Sequence, residues 1–249
     1  MKIRTSCIEC IREKAHRDEQ DLRLEIRDDG IYSVTCFNGH ESTIVLNHHK
    51  YEILFEMGVL ALSDGYTREA VSNFAASLER FYEFSIEVFL RNSGVYGSAF
   101  EQTWKNLRNQ SERQLGAYLI LYLNHYSKYE LIGKQPEMFD DKLTKFRNDV
   151  IHKGKFPSYD EVIKYSEAVF TFIRNHLVDL KGEFSDAVEI VNDKYIANYM
   201  MKNNSDGKHL VSWSENTVFR ASRPIEEIKE LNFLNCIDEK RVYRTFHNK

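Results

Sequence analysis

The most reactive combination of side chains in this sequence lies between Arg147 and His152, in the run Arg-Asn-Asp-Val-Ile-His. An arginine guanidinium is a permanent cation whose planar fork of donors matches a phosphate group. A histidine imidazole accepts or donates a proton near neutral pH. These two groups together supply the chemistry needed to cleave an RNA phosphodiester without a metal ion.

The spacing of this pair carries little information by itself. The sequence contains 16 Arg and 9 His, so random placement produces roughly one or two arginines followed by a histidine at such a distance. A second pair does occur, Arg241 and His247, and the apolar Val242 directly follows its arginine. We therefore treat the second pair as accidental, and the case for Arg147 depends on the elements around it.

The expected helix around this motif limits how its side chains meet. At about 100° per residue, Arg147 and His152 project about 140° apart, whereas Asn148 and His152 share one face. Arg147 and His152 therefore act together only if the helix frays before Gly154, or if a second copy of the chain presents its own motif across a two-fold axis. In the alternative, the segment is an ordinary helix end. His152 then interacts favourably with the helix dipole, and Arg147 pairs with Asp149 or another acid.

Four residues in the first part of the sequence have the types and spacing of metal ligands: Cys7, Cys10, Cys36 and His40. Zinc binds four nitrogen or sulfur ligands tetrahedrally, and a short pair at each of two turns supplies them. A segment this small buries little apolar surface, so a bound metal stabilises its fold. We predict one structural Zn²⁺ per chain, coordinated by the protein alone, and we expect no metal in catalysis.

Two alternatives for this cluster remain open. His16 or Glu41 replaces His40 as the fourth ligand, or the cysteines are ordinary buried thiols and His40 is a surface residue. Cys236 stands apart from the cluster, and we expect it to be a packed residue. Disulfides are not expected, because we place the chain in the reducing cytoplasm.

The segment around these ligands has the alternation of β-strands. Residues 22–26 and 31–34 alternate apolar and polar side chains on either side of Asp29-Gly30, which predicts an antiparallel hairpin. A third strand is expected at 43–46. We interpret residues 1–47 as a small zinc-ribbon-like module.

From about residue 48 the apolar residues recur with helical spacing. The helix that contains Arg147 follows Asp140 and ends at Gly154 and Pro157, and Ser158 caps the helix after it. A helical bundle is therefore expected over residues 48–181. Its predicted helices span about 51–62, 67–92, 98–109, 111–127, 140–153 and 158–181.

Beyond residue 182 the periodicity weakens. We expect a helix near 185–202, a hairpin over 210–219 and a short helix at 224–231. Residues 182–249 are thus predicted to form a small α+β extension of unknown role. The fold class is mainly α.

Composition excludes several classes of function. The formal net charge of −4 provides no global basic field for nucleic acid, so RNA would have to contact a local patch such as Lys145, Lys153 and Lys155. The sequence has no Gly-rich phosphate loop, which disfavours nucleotide transfer. It has no apolar run typical of a signal peptide or a membrane span, and we expect a cytoplasmic protein with no membrane partner.

The helical segment resembles the HEPN superfamily (higher eukaryotes and prokaryotes nucleotide-binding), which has an all-α fold. The run Arg147-Asn-Asp-Val-Ile-His-Lys-Gly154 matches the Arg-x4–6-His motif of its ribonucleases, in which Asn, Asp or His commonly follows the arginine. The run Ala70-Val-Ser-Asn-Phe-Ala-Ala-Ser-Leu-Glu-Arg80 is similar to the long early helix of the family. The resemblance covers about residues 48–181, roughly half of the chain.

This resemblance implies a dimeric, metal-independent endoribonuclease of the kind found among toxins and anti-phage defence effectors. In that case His152 acts as general base on a ribose 2′-OH or as general acid toward the leaving 5′-oxygen. Arg147 stabilises the charge that builds on the phosphorane, and Asn148 orients His152 or the phosphate. Three further residues are candidates for supporting roles: Glu79, Asp149 and Lys153. Glu79 would act as an orienting group.

The implied partners are RNA and a second copy of the chain, with a protein partner or antitoxin as a further candidate. The competing interpretation is a non-catalytic module. In that interpretation the helical bundle is a dimerisation scaffold, and the zinc ribbon and the C-terminal segment recognise a partner or a nucleic acid.

Overall fold

The structure is a computed structural model that describes residues 2–15, 21–126, 136–202, 209–213 and 217–239. The chain divides into two compact units: Met1–His48 with Asn192–Asn216, and His49–Val191 with Thr217–Lys249. The extension expected over 182–249 is therefore not a unit of its own. Its residues are divided because one part adds a strand to the sheet of the first unit, whereas Val218 and Phe219 are buried in the core of the second.

The elements follow one another along the chain as β-strands first and helices afterwards, with one late strand. The first unit contains β1 (Lys2–Ser6), α1 (Ile8–Arg12), β2 (Asp21–Glu25), β3 (Ile31–Thr35) and β4 (Glu41–Leu46). The second unit then contains α2 (Lys50–Ser63), α3 (Thr67–Asn92), α4 (Ser98–Leu107), α5 (Ser111–Tyr126), α6 (Asp141–His152), α7 (Tyr159–Glu183) and α8 (Ser185–Asn192). The chain continues with α9 (Lys194–Lys202) and β5 (His209–Trp213) in the first unit, and with α10 (Ile225–Glu230) and a helix α11 at 233–239 in the second.

The predicted hairpin between residues 22–26 and 31–34 is wrong, because these strands belong to different sheets. β2 pairs antiparallel with β1, and β3 pairs antiparallel with β4. The turn itself forms, with the Gly30 backbone N–H donating to the Arg27 carbonyl at 3.2 Å. The Gly30 carbonyl, however, accepts from the Leu46 backbone N–H at 2.8 Å. This contact lies at the start of the pairing between β3 and β4, so β3 runs beside β4 and not beside β2.

The third predicted strand, at 43–46, is confirmed as part of β4. It lies between β3 and β5, and β5 runs parallel to it. Every residue of β4 after Glu41 is buried, as is common for a central strand covered on both faces. The hairpin predicted over 210–219 is not found, since β5 pairs with β4 and residues 217–219 are not in a strand.

The second unit is helical, and the predicted helix positions are confirmed to within a few residues. The helix expected near 185–202 is divided into α8 and α9. Five phenylalanines pack edge to face or tilted at the centre of the core, with ring centroids 4.7 to 6.5 Å apart. They come from α2, α3, α7, the segment before α10, and α11: Phe55, Phe74, Phe170, Phe219 and Phe233.

Two buried carboxylates fasten the C-terminal segment to α2. Glu52 and Glu56 lie one helical turn apart and are 1% and 4% exposed. Glu52 accepts from the Ala221 backbone N–H at 2.9 Å, and Glu56 accepts from the Val218 backbone N–H at 3.3 Å. Because a buried backbone N–H is costly to leave unpaired, these two acids hold the segment in place.

Local capping sets the ends of the helix that contains the Arg–His motif. The Asp140 side chain accepts from the backbone N–H groups of Lys142 and Leu143 at 2.7 and 2.9 Å, so it caps the start of α6. Gly154 has φ +70°, the left-handed conformation that follows many helix ends. As predicted, Ser158 then caps α7 in a capping box with Glu161.

None of the helices in the described ranges combines the length and the apolar character that a membrane crossing needs.

Two helical glycines offer a matched test of the helix packing. A Cβ atom at Gly58 in α2 would lie 2.7 and 2.8 Å from ring atoms of Phe74 in α3, whereas a Cβ atom at Gly116 in α5 would meet no atom within 4 Å. We expect Gly58→Ala to lower the free energy of unfolding by about 1–3 kcal/mol, because it overpacks the interface. Gly116→Ala should leave it unchanged or raise it by about 0.5–1 kcal/mol. Chemical denaturation measures both, and equal effects would contradict the close approach of the two helices.

Candidate functional site

A groove of about 920 Å³ runs beside the Arg–His motif in the second unit. This volume is in the range of about 300–1,000 Å³ that small-molecule sites occupy. All four helices that border it were predicted to belong to one bundle, and one of them, α6, carries the motif. Its walls are residues of α3 (Ala75, Leu78, Glu79, Tyr82), α5 (Ser111, Glu112, Leu115), α6 and its flanks (Phe139, Asp141, Thr144, Lys145, Arg147, Asn148, Asp149, His152, Lys153) and α7 (Tyr165).

Arg147 is held in this groove by two partners. One guanidinium nitrogen, Nη2, contacts Glu79 Oε1 in a close ion pair, and the other, Nη1, donates to Asn148 Oδ1 at 2.8 Å. The side chains of Arg147 and Glu79 are 22% and 26% exposed, so the cation is partly shielded but still reaches the groove. Of the supporting residues named from the sequence, Glu79 is thus brought to the motif, where it contacts Arg147 and not His152.

His152 is the last residue of α6 and is exposed. Among the described residues, no hydrogen bond or ion pair is made by its ring. It borders the same groove as Arg147 and Asn148, although α6 continues through His152 and does not fray before it. The two side chains reach one groove because a long arginine side chain covers helix surface well beyond its own Cα direction.

The lysines expected to bind phosphate are all paired with carboxylates of the same chain. Asp149 accepts from Lys153 at 2.6 Å and from Lys145 at 3.5 Å, and Glu161 accepts from Lys155 at 2.6 Å. The hydrogen bond from Lys153 and the charge of Lys145 lower the pKa of Asp149. Asp149 is therefore the counter-ion of Lys145 and Lys153. Arg147 pairs with Glu79, which is the other acid that the interpretation as an ordinary helix end allowed.

The groove is consequently not a basic surface. Its lining contains three permanent cations, Lys145, Arg147 and Lys153, and four carboxylates, which are Glu79, Glu112, Asp141 and Asp149. Exposed ion pairs of this type are weak and exchange readily. A phosphate would therefore have to compete with these carboxylates for the cations.

One side of the groove is apolar, and most of its residues follow the helical spacing of buried side chains. Burial raises the pKa of both Tyr82 and Tyr165, so their phenols remain protonated at neutral pH and can donate a hydrogen bond. The helical periodicity marks such residues as buried, but nothing in it shows that they also border a groove. The apolar lining consists of Ala75, Leu78, Tyr82, Leu115, Phe139 and Tyr165.

The four predicted metal ligands come together in the first unit. Their ligand atoms all lie within 4.8 Å of one another. The thiol sulfurs of Cys10 and Cys36 are 3.6 Å apart, and His40 Nδ1 lies 3.8, 3.4 and 3.5 Å from the sulfurs of Cys7, Cys10 and Cys36. With zinc bonds of about 2.3 Å to sulfur and 2.0–2.1 Å to nitrogen, the edges of a tetrahedral site measure about 3.8 and 3.6 Å. The donor set and its spacing therefore fit a metal ion.

Two tight turns place these ligands. Cys7 is the N-cap residue of α1, which brings Cys10 one turn away. The Cys36 backbone N–H donates to the His40 carbonyl at 3.0 Å, and the Gly39 N–H donates back to the Cys36 carbonyl at 3.0 Å. Gly39 has φ +82°, so the predicted tight turn between Cys36 and His40 is confirmed.

The surroundings differ between the thiols of the cluster, and the His40 ring has one further contact. Burial raises the pKa of the Cys10 thiol to about 11. Burial acts in the same direction on Cys36, but hydrogen bonds from the His40 backbone and the Cys10 thiol lower the pKa of Cys36 to about 7. His40 Nε2 lies 3.4 Å from Glu13 Oε2, and such a second contact fixes the ring orientation of a metal-binding histidine.

The alternatives for these residues have different outcomes. Glu41 is not part of the cluster, and His16 lies outside the described residues. Cys236 is buried in the core of the second unit, as expected for a packed residue. The accidental pair Arg241 and His247 also lies outside the described residues.

Comparisons with protein-family models, curated proteins and solved structures return no match for this chain.

The metal cluster predicts a bound ion that depends on particular thiols. We expect the purified protein to hold one metal ion per chain, and Cys36→Ser to lose it because the remaining three ligands cannot complete a tetrahedron. Cys236→Ser, which also removes one buried thiol, should retain the ion. Elemental analysis after gel filtration gives the stoichiometry, and metal retained by Cys36→Ser would exclude Cys36 as a ligand.

Proposed function

We propose that the second unit is a metal-independent endoribonuclease of the HEPN type, acting in the groove beside α6. The observation that supports this proposal is that Arg147, Asn148 and His152 border one groove together with the apolar side chains opposite them. Such a groove offers groups for a phosphate and a ribose hydroxyl on one side and for the faces of bases on the other. The Arg-x4–6-His resemblance of the sequence points to the same chemistry.

The reaction assigns each group a role that balances protons and bonds. The ribose 2′-oxygen attacks the adjacent phosphorus while His152 removes its proton, and the bond from phosphorus to the 5′-oxygen breaks. The 5′-oxygen takes up a proton as it leaves, and the products are a 2′,3′-cyclic phosphate and a 5′-hydroxyl. Arg147 stabilises the additional negative charge on the phosphoryl oxygens in the transition state.

Glu79 and Asn148 act as positioning residues for Arg147. A guanidinium has five N–H donors, and the contacts with Glu79 and Asn148 use two of them. Three donors remain for a phosphate. Asn148, which was expected to orient His152 or the phosphate, donates no contact to His152 here and instead accepts from Arg147.

The need for both a base and an acid supports a homodimer. One group must remove the 2′-OH proton, and another must protonate the 5′-oxygen, in a single displacement. Within the described lining of the groove, His152 is the one imidazole. A second copy related by a two-fold axis would supply the second imidazole and complete a composite site.

The metal in the first unit is proposed to be zinc, which favours a closed set of three thiolates and one imidazole. Since the protein fills all four positions, the ion would be structural. We further propose that this unit recognises an RNA, a protein partner such as an antitoxin, or an activating signal. A cytoplasmic toxin or anti-phage effector is the biological role that these proposals support.

A second candidate function is supported by the charges of the groove. Its carboxylates outnumber its permanent cations, and both lysines of the lining are paired with Asp149. This balance is compatible with a non-catalytic module in which the helical unit dimerises and the metal-binding unit recognises the partner. The two candidates differ in whether RNA is cleaved at all.

The catalytic roles predict a loss of cleavage without a loss of folding. We expect His152→Ala and Arg147→Ala each to lower the rate of RNA cleavage by at least about 100-fold, the usual effect of removing an acid–base group or a charge stabiliser. Cleavage of a labelled RNA is followed on gels, with 2′,3′-cyclic phosphate ends as the expected product. His247→Ala, at the accidental pair, is the matched control and should cleave normally.

Two results would refute this mechanism. One is unchanged cleavage by both variants when their circular dichroism matches that of the wild type. The other is cleavage of an RNA that carries a single 2′-deoxy substitution at the scissile position, because that substrate lacks the nucleophile. If the wild type produces no cyclic phosphate ends from any RNA, the non-catalytic function is favoured.

A site shared by two chains predicts that the cleavage activity varies with the square of the fraction of wild-type chains. When wild type and His152→Ala are co-expressed in equal amounts and pair at random, a site that needs two imidazoles retains about one quarter of the wild-type activity. Independent sites would retain about one half. Cleavage rates per total protein distinguish the two cases, and a value of one half would show that each chain works alone.

A further inference from the structure

The loop after the motif holds a phenylalanine almost entirely in solvent. Phe156 is 86% exposed, the largest exposed fraction among the large apolar side chains described. Burying a phenylalanine side chain stabilises a protein by about 1.5–3 kcal/mol. Because the Phe156 ring stays in solvent, the single chain does not gain this stabilisation. This holds even though helix α7, which packs in the core, begins at Tyr159.

The loop that carries Phe156 is held by specific contacts, so the exposure of the ring does not result from an irregular, unsupported backbone. The backbone N–H groups of Lys153 and Lys155 both donate to the Asp149 carbonyl, at 3.2 and 3.1 Å. The Lys155 ammonium is bound by Glu161 at 2.6 Å and lies 4.9 Å from the centre of the Phe146 ring.

On the other side of Phe156 the chain is fastened equally well. Pro157 is buried, and the capping box of Ser158 fixes the start of α7. Backbone contacts thus hold the loop at both ends, and its one large apolar side chain points away from the protein.

Phe156 is not itself part of the groove lining, but it lies in the short loop that directly follows two residues of that lining. Phe156 follows His152 by four residues and Lys153 by three, and both of these residues border the groove. Proteins hold single-stranded RNA by combining exposed aromatic rings with cations: a ring stacks on a base while a cation contacts the backbone. Duplex RNA does not offer this contact, because its bases are already stacked.

We propose that Phe156 is a stacking platform for an unpaired base next to the scissile phosphate. The proposal rests on the ribonuclease function above. Phe156 is a positioning residue in this scheme, since it touches the substrate base and not the reacting atoms. Stacking would place the 2′-OH of the neighbouring ribose at His152.

The area that is available favours a base over a protein surface. A specific protein interface buries about 800 Å² on each partner, whereas one phenylalanine offers about 150–250 Å². The neighbours of Phe156 along the loop, Gly154 and Lys155, add no apolar surface. A single rigid ring matches the face of one base, and a partner protein is an outcome that the experiment distinguishes.

The test measures binding and cleavage separately. Binding is measured by fluorescence anisotropy with a single-stranded RNA made non-cleavable by 2′-O-methyl groups, and cleavage is measured with the unmodified RNA. We expect Phe156→Ala to weaken binding about tenfold, the typical effect of losing one stacked base, and Phe156→Trp to restore it. Phe37→Ala is the matched control, because Phe37 is 85% exposed but lies in the first unit.

An abasic nucleotide in the RNA provides the reciprocal change. The wild type should bind the RNA with an abasic site at the stacked position as weakly as Phe156→Ala binds the complete RNA. Combining the variant with the abasic RNA should cause little further loss, since both remove the same contact.

Each result is decisive. Equal affinity of Phe156→Ala and wild type, an equal loss in Phe37→Ala, or no binding of single-stranded RNA at all would overturn the stacking proposal. A change of oligomeric state in Phe156→Ala, measured by analytical ultracentrifugation, would instead assign the ring to an interface between copies of the chain. RNA cleavage that is independent of Phe156 leaves the ribonuclease function standing and rejects the platform. Binding that depends on Phe156 without any cleavage would instead support the stacking contact and reject the ribonuclease function.

Discussion

The ion pair between Arg147 and Glu79 is the interaction on which the groove depends. It connects α6, which carries the motif, to α3, the longest helix described. Both side chains are only about a quarter exposed, so the pair is partly shielded from water and less screened by salt than a fully exposed pair. The contact keeps the guanidinium at the groove, where it still has donors to offer.

The same pair explains how an overall acidic chain can present a cation to a phosphate. The remaining cations of the groove are exposed lysines bound to Asp149. Exposed ion pairs of this kind are weak, so these lysines add little to the attraction of a phosphate. Arg147 differs because its position is set by two hydrogen-bond partners. If RNA binds here, its affinity would come from one oriented guanidinium and from stacking, and only to a small extent from a general basic surface.

A different constraint organises the first unit. Besides the buried strand β4, its cysteines form a separate buried cluster with Ala15 and Leu22 packed against them. Two tight turns hold the four ligand atoms close together, and a metal ion bound there would add to the small apolar core of such a short segment. The cluster and the groove thus follow different principles. The first has every ligand position filled by the protein, and the second keeps its histidine exposed.

Local interactions are what the sequence by itself determined. The helix periods, the caps at Asp140 and Ser158, and the turn at Gly39 each depend on residues a few positions apart, and the structure has them where they were expected. The metal ligands were also predictable from the sequence, because the two members of each pair are close in the chain. The shared preference of Cys and His for zinc then indicates that the two pairs form one site. Only tertiary structure decided the pairing of β2 with β1, the division of residues 182–249 between two units, the partner of Arg147 and the apolar wall of the groove. These features join residues that are far apart in the chain, and long-range contacts leave no periodic pattern, since a buried residue looks the same in the sequence whichever element covers it.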